Sequence, residues 1–272
     1  MFRNYFKTAW RSLWKNKFYT LINISGLAVG LATGIMLLLW VQNELSFDKF
    51  NRDYKNIYQF STHFNSSGEQ RVWKGVPGPL AIMAKSIPGV QSFVRIVSEP
   101  DQVLSNKDNK KIFDGNTTAS VDSGFFSMFD FHFVKGNIQA AFPNNNSVVI
   151  TQSLAQKLFG DEDAMGKTVG YSRHFFTVTG VLEDFPKNSS IRYDAIFPMG
   201  FYAQQFTESG GNGDWETIDT DLGDFSFTTF VKLQKAANAG RTGKQFWPPI
   251  KRPATEIAAL TFNCKILLIS IL

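Results

Sequence analysis

The sequence predicts an α+β fold class, with one N-terminal transmembrane helix followed by a mixed α+β exported domain of two lobes. Three observations carry this. Residues 18–43 contain no charged side chain. Basic residues precede that stretch, and the first acids, Glu44, Asp48 and Asp53, follow it. Beyond Asn43, short segments with strand-like alternation are interleaved with short helical patterns.

The apolar part of the stretch, 18–41, reaches about 36 Å as a helix against a hydrocarbon core of about 30 Å, so it spans with some tilt. A cleaved signal peptide is the competing expectation. It is disfavoured because the stretch is too long and no small-x-small cleavage site stands just ahead of the charged Glu44 segment. Cations before the span and acids after it place the N-terminus in the cytoplasm and everything beyond Asn43 on the exported side. Within the span Gly26, Gly30 and Gly34 recur every four residues on one helical face, where a neighbouring helix can approach closely. Glycine is also common in such spans generally.

Residues 1–17 form their own pattern. Arg3, Lys7, Arg11 and Lys15 follow each other at i+4, beside Phe2, Phe6, Trp10, Leu13 and Trp14. This reads as a basic amphipathic cytoplasmic helix lying along membrane lipid of the inner leaflet. Scattered positive charge acting only as a topology signal is the simpler alternative; the regular spacing and the two tryptophans favour the helix.

Charge also limits function. Of the 272 residues, the net +5 is accounted for by Arg3, Lys7, Arg11, Lys15 and Lys17, while residues 18–235 hold 18 Lys and Arg against 22 Asp and Glu. A mildly acidic body argues against a phosphate-backbone footprint, so no nucleic-acid partner is expected. Cys264 is alone and cannot close an intrachain disulfide.

In the exported region, 57–64 and 91–97 alternate as strands, and 78–87 reads as a short helix ending near Pro88. The sharpest unit is a strand at 147–150, Thr151 as N-cap, a helix at 152–159 and Gly160 just past its end. A hairpin follows through 167–172 and 174–182, then the Asp184-Phe185-Pro186 break, with further strands at 194–198 and 225–233. The glycine-rich segment 209–224 carries Asp214, Glu216, Asp219, Asp221 and Asp224 at no recognised ligand spacing, and reads as a solvated loop in preference to a calcium loop.

Catalytic signals fail on inspection. Residues 160–168 superficially resemble a phosphate-binding loop, but five residues separate Gly160 and Gly166 where four are required, and Asp161, Glu162 and Asp163 would face the phosphates. His63, His132 and His174 have no partner at metal-ligand spacing, and no G-x-S-x-G elbow occurs. Catalytic, cofactor-binding and metal residues are therefore expected to be absent. Phe125, Phe126, Phe129, Phe131 and Phe133 read as core in preference to a ligand groove.

In order along the chain come Phe2-Arg3-Asn4-Tyr5-Phe6-Lys7-Thr8-Ala9-Trp10-Arg11, Asn16-Lys17, the glycine-spaced span, and Glu44-Leu45-Ser46-Phe47-Asp48-Lys49-Phe50 leading to Ile57-Tyr58. Pro77-Gly78-Pro79-Leu80, Phe125-Phe126 with Phe129-Asp130-Phe131, and Ser147-Val148-Val149-Ile150-Thr151 follow. Phe159-Gly160-Asp161-Glu162-Asp163, Gly166-Lys167-Thr168 and Val178-Thr179-Gly180-Val181-Leu182 complete the series. Each is a short turn or packing motif; together, over about 235 residues, they resemble permease subunits of ABC transporters of the MacB-like, FtsX-like type.

The resemblance implies a non-enzymatic plasma (inner) membrane subunit with a MacB-like periplasmic core domain. No cofactor is expected in this chain, since ATP would be bound by a separate cytoplasmic ABC ATPase subunit. A second permease copy and a periplasmic accessory protein are further implied partners, and Arg3, Lys7, Arg11 and Lys15 would sit where the ATPase docks. The expected organisation is 1–17 cytoplasmic helix, 18–43 transmembrane helix, 44–235 periplasmic core domain and 236–272 an atypical tail. Family members continue with three more spans after the core domain. Here the resemblance stops near Ala236, and 257–272 is too short and polar for a span, so a truncated or frame-shifted product is expected, with a divergent C-terminus as the alternative. The competing functional class is a membrane-anchored periplasmic ligand-binding or sensor module. An anchored periplasmic enzyme lacks a catalytic constellation.

Overall fold

A computed structural model describes residues 2–66, 69–106, 111–235 and 265–270. The chain divides into two units, Met1–Phe47 and Asp48–Leu272.

The first unit is two helices, α1 (Phe2–Lys15) and α2 (Lys17–Glu44). Asn16 stands between them with φ −112° and ψ 53°, outside the helical region, and kinks the chain. The hydrogen bonds run on across it, from Asn16 N to Ser12 O at 3.2 Å and from Thr20 N to Asn16 O at 3.0 Å. α2 is apolar on every side, with a mean hydropathy of 2.1 over its best 18-residue window, and buries none of its residues. A helix that is hydrophobic all round belongs in an apolar medium.

The second unit carries β1 (Ile57–Ser66), β2 (Glu69–Trp73), α3 (Pro79–Ala84), β3 (Val90–Asn106), β4 (Ile112–Val121), α4 (Phe125–Met128) and β5 (Phe133–Lys135). Then come β6 (Ser147–Thr151), α5 (Gln152–Phe159), β7 (Thr168–Tyr171), β8 (His174–Leu182), β9 (Ala195–Pro198), α6 (Met199–Glu208), β10 (Thr228–Leu233) and β11 (Lys265–Ser270). All the strands belong to one mixed sheet. Its pairings close on themselves in a ring: β3 with β4, β4 with β9, β9 with β6, β6 with β8, β8 with β7, and β7 with β3. Closure removes the unpaired edges that an open sheet must protect. One buried cluster draws on Leu104, Val148, Ile150, Val169, Phe176 and Phe197, and the ring of Phe176 lies 4.6 Å from Phe197 and 4.7 Å from Phe201.

Outside the ring, β10 pairs with the first half of β3, β1 with β10, and β2 and β11 with β1. Strand β3 thus serves both parts, and its register shifts between Glu99 and Gln102, where Asp101 takes φ 56°. A bulge there lets a single strand bend from one part into the other. The two expected lobes are two parts of one sheet joined through β3; one buried cluster lies in each, and a further cluster takes residues from both, Ile57 and Phe230 on one side and Val149 and Ile196 on the other.

The second large cluster is the phenylalanine group read as core: Phe125, Phe126 and Phe129 are buried, with Phe131 and Phe133 packed against them. Thr151 caps α5 as expected, its hydroxyl accepting from Leu154 N at 3.3 Å, and Gly160 ends it at φ 66°. The helix expected at 78–87 is shorter, and the strand expected at 91–97 is longer: β3 runs on to Asn106 because β7 offers it a second partner. Residues 209–224 require a correction. They are not simply solvated: Ile218 and Asp221 are buried, and the Asp221 carboxylate accepts from Asn212 Nδ2 and from the backbone N–H groups of Gly223 and Asp224. Of the atypical tail, only β11 lies within the described residues.

Candidate functional site

The residues singled out for partner contact all lie on the first unit. Arg3, Lys7, Arg11 and Lys15 are exposed on α1, as are Tyr5, Phe6, Trp10 and Trp14. The rings of Phe6 and Trp10 stack at 6.5 Å, and Lys17 Nζ stands 5.2 Å over the Trp14 ring. An apolar and a basic flank on one helix need two different surroundings, which a lipid headgroup layer supplies. On α2, a side chain added at Gly26, Gly30 or Gly34 would meet nothing within 4 Å, so this face is open for a neighbouring helix.

In the second unit the segment 48–53, ahead of β1, is anchored by polar bonds. Asp48 is buried with φ 55°; its N–H donates to Asn188 O at 2.9 Å and its carboxylate accepts from Ser190 N at 2.9 Å. Buried Asn51 donates to Asp48 O and accepts from Asp130 N at 3.0 Å. The Asp130 carboxylate takes the Arg52 backbone N–H at 2.6 Å and its guanidinium at 2.8 and 3.1 Å. The Arg52 guanidinium, more than any other influence, holds the Asp130 carboxyl below the usual range; Lys232, 2.6 Å away, does the same for Asp53. The segment just past the motif containing Asp48 and the motif containing Asp130 therefore meet in space, through Arg52 and Asp130, 78 residues apart in the chain.

Arg95 on β3 is the most deeply buried cation of the described residues that form an ion pair. Its Nε lies 3.0 Å from Asp122 and its Nη1 2.5 Å from Asp219. Burial is the largest single influence and works against its charge, but the two carboxylates together outweigh it and raise its pKa. Arg95 thereby ties the 209–224 segment to the sheet. Nearby, burial pushes the Tyr202 hydroxyl up to about 12, with Asp224 adding to it. Tyr171 is raised further, by burial first and then by donating to Glu99.

A shallow groove of about 540 Å³ runs beside α5, lined by Lys135, Ser153, Gln156, Asp161, Glu162 and Asp184 among others. Its polar groups already bind one another: Ser153 Oγ donates to Asp184 at 2.5 Å, Lys135 pairs with Asp163 at 3.0 Å, and Lys167 pairs with Glu162. Ser153 stands in the first turn of α5 and its backbone N–H also donates to Asp184, so this contact caps the helix, and the two ion pairs lie at the surface. The stretch 160–168 is the turn from α5 into β7. His132 Nδ1 sits 3.1 Å from Glu183, a pairing no sequence spacing reveals. Among the described residues, no group of three or more His, Cys, Asp or Glu is placed to hold a metal ion.

Comparison with known proteins agrees with this architecture. The model of the MacB-like periplasmic core domain family matches residues 20–246. A domain of a putative permease protein from Porphyromonas gingivalis superposes with a TM-score of 0.63 at 21% identity, over 81% of this chain and 91% of that one. The periplasmic region of MacB from Actinobacillus actinomycetemcomitans gives 0.52 at 17% identity, over 74% and 82%. The extracellular domain of the noncanonic ABC-type transporter YknZ from Gram-positive bacteria gives 0.50 at 18% identity, over 70% and 90%. Among curated proteins no sequence match is found.

Proposed function

The chain belongs to the MacB-like periplasmic core domain family, and from that premise we propose that it acts as a permease subunit of an ABC transporter, coupling a cytoplasmic ATPase to export or other extracytoplasmic work. The family is that of a transporter permease component. The observation that carries the finer reading is the order of parts: a basic amphipathic helix, an uncharged span and the family's β-domain in one chain. Charge on the two flanks of α2 supports an N-terminus in the cytoplasm and a β-domain on the periplasmic side.

In this reading the chain itself hydrolyses nothing and binds no cofactor, and ATP belongs to the partner ATPase. Arg3, Lys7, Arg11 and Lys15 contact that ATPase or the anionic inner leaflet, where each cation near the surface contributes about 1 kcal/mol. The Gly26, Gly30 and Gly34 face receives a membrane helix, with a second permease copy as its natural source, and the β-domain meets a periplasmic accessory protein.

The test is co-purification of the tagged full chain from its own membranes. An ABC-type ATPase is expected with it, and changing Arg3, Lys7 and Arg11 to Glu is expected to remove it. An intact chain recovered without an ATPase would contradict the permease reading. A β-domain whose melting point then rises on adding a small periplasmic ligand would point to the anchored binding module.

A further inference from the structure

Residues 48–53 do more than lead into β1. Among the described residues, no side chain of 48–53 belongs to a buried apolar cluster; the ring of Phe50 meets Phe131 at 5.9 Å, and polar bonds supply the segment's other named ties to distant parts of the domain. Those bonds reach three separate places. Asp48 holds the 186–190 turn through Asn188 O and Ser190 N, Asn51 and Arg52 hold Asp130 beyond α4, and Asp53 holds Lys232 on β10. Strand β10 pairs with both β1 and β3, so the Asp53–Lys232 bond fastens this segment to the strand that joins β1 to the rest of the sheet. At the centre, Asp48 holds a left-handed backbone that non-glycine residues adopt uncommonly, Asp being among the more tolerant. Such a conformation persists where its surroundings over-determine it, and it concentrates at switches and clamps.

We propose that residues 48–53 form a clasp, a joint that can open without unfolding the domain and that spreads a displacement of the incoming chain over three parts of the β-domain at once. Sheet pairing alone would pass that displacement through only the short register of β1 with β10, Ile57 to Gln59. The clasp's purpose rests on the permease reading; its existence as a separate opening unit does not. Its side chains fit such a role because the Arg52 guanidinium is almost fully exposed, and exposed pairs are readily exchanged for water.

Hydrogen exchange of the full chain in lipid nanodiscs decides it. Asp48→Gly keeps the left-handed backbone accessible but deletes the acceptor for Ser190 N, whereas Asp48→Asn keeps both. Asp48→Gly is expected to speed exchange about tenfold in 48–53 and 186–191 while leaving 147–151 unchanged, and Asp48→Asn is expected to stay close to the unmodified chain. Asp130→Asn, the milder change, is expected to loosen 48–53 and, through the shared segment, 186–191. It decides by the same criterion if Asp48→Gly does not fold. Unchanged exchange in these segments, or acceleration that spreads into 147–151, overturns the proposal. Whether an ATPase co-purifies is read in a separate experiment, and its failure leaves these results standing.

Discussion

The two units solve the hydrophobic problem in opposite ways. In α2 the large apolar side chains, from Phe18 to Trp40, are exposed and touch no core. In the β-domain Phe60, Phe125, Phe129, Phe176, Phe197 and Phe227 are almost wholly buried against their own chain. The first unit takes its apolar surroundings from outside, and the second builds them. Each unit therefore fails for a different reason, and mutations separate the two.

The largest effect is expected from Phe176→Ala, which removes the ring that meets Phe197 of β9 and Phe201 of α6 in a buried cluster. A loss of about 4 kcal/mol is expected for the β-domain, read by denaturant unfolding of the full chain in detergent, with the α2 helical signal kept. Loss of both signals together would erase the comparison. Next is Arg95→Met, which takes the guanidinium away from part-buried Asp122, leaving it the backbone N–H of residue 95, and frees Asp219; about 3 kcal/mol is expected from the same measurement. Gly30→Leu sharpens the comparison from the other side. It is expected to leave the β-domain's unfolding unchanged and to weaken association of α2 with a neighbouring helix by about 1 kcal/mol, read by cross-linking in membranes.

The smallest effect is on acidity. Asp130 and Asp53 have carboxyls held below their ordinary values in the folded chain. Their contribution is complete above the ordinary carboxylate range, near pH 4, and is lost as the pH falls through the depressed values. The melting point of the chain should therefore exceed that of Asp130→Asn at pH 7, and the gap should narrow as the pH falls below about 4.

How much of this was legible beforehand follows the same division. The span and the α5 unit were readable because each announces itself locally, through absent charge in one and Thr151 and Gly160 in the other. Strand β4 was not readable: Asp114-Gly115-Asn116 has the composition of a turn, yet Gly115 at φ 69° and the bonds of Asn116 to Phe113 O and Gln102 O make it a bulge within a strand. Helix α6 begins at Met199, directly after β9, with Pro198 ahead of it and no side-chain cap, so nothing marked its start. The anchoring of residues 48–53 depends on Asp130 and Ser190, far along the chain, and spacing cannot show it. Nothing local singles out Arg95, because Asp122 and Asp219, which bracket it, lie 27 and 124 residues away in the chain.

The central claim is that α2 crosses the membrane with α1 inside and the β-domain outside. With Cys264 replaced by Ser, single cysteines at Thr8→Cys and at Ser209→Cys are exposed to a membrane-impermeant maleimide in cells whose inner membrane is intact. The account predicts rapid labelling at position 209 and labelling at position 8 only after the inner membrane is broken. Labelling at position 8 with protection at position 209 would contradict it, as would equal labelling of both.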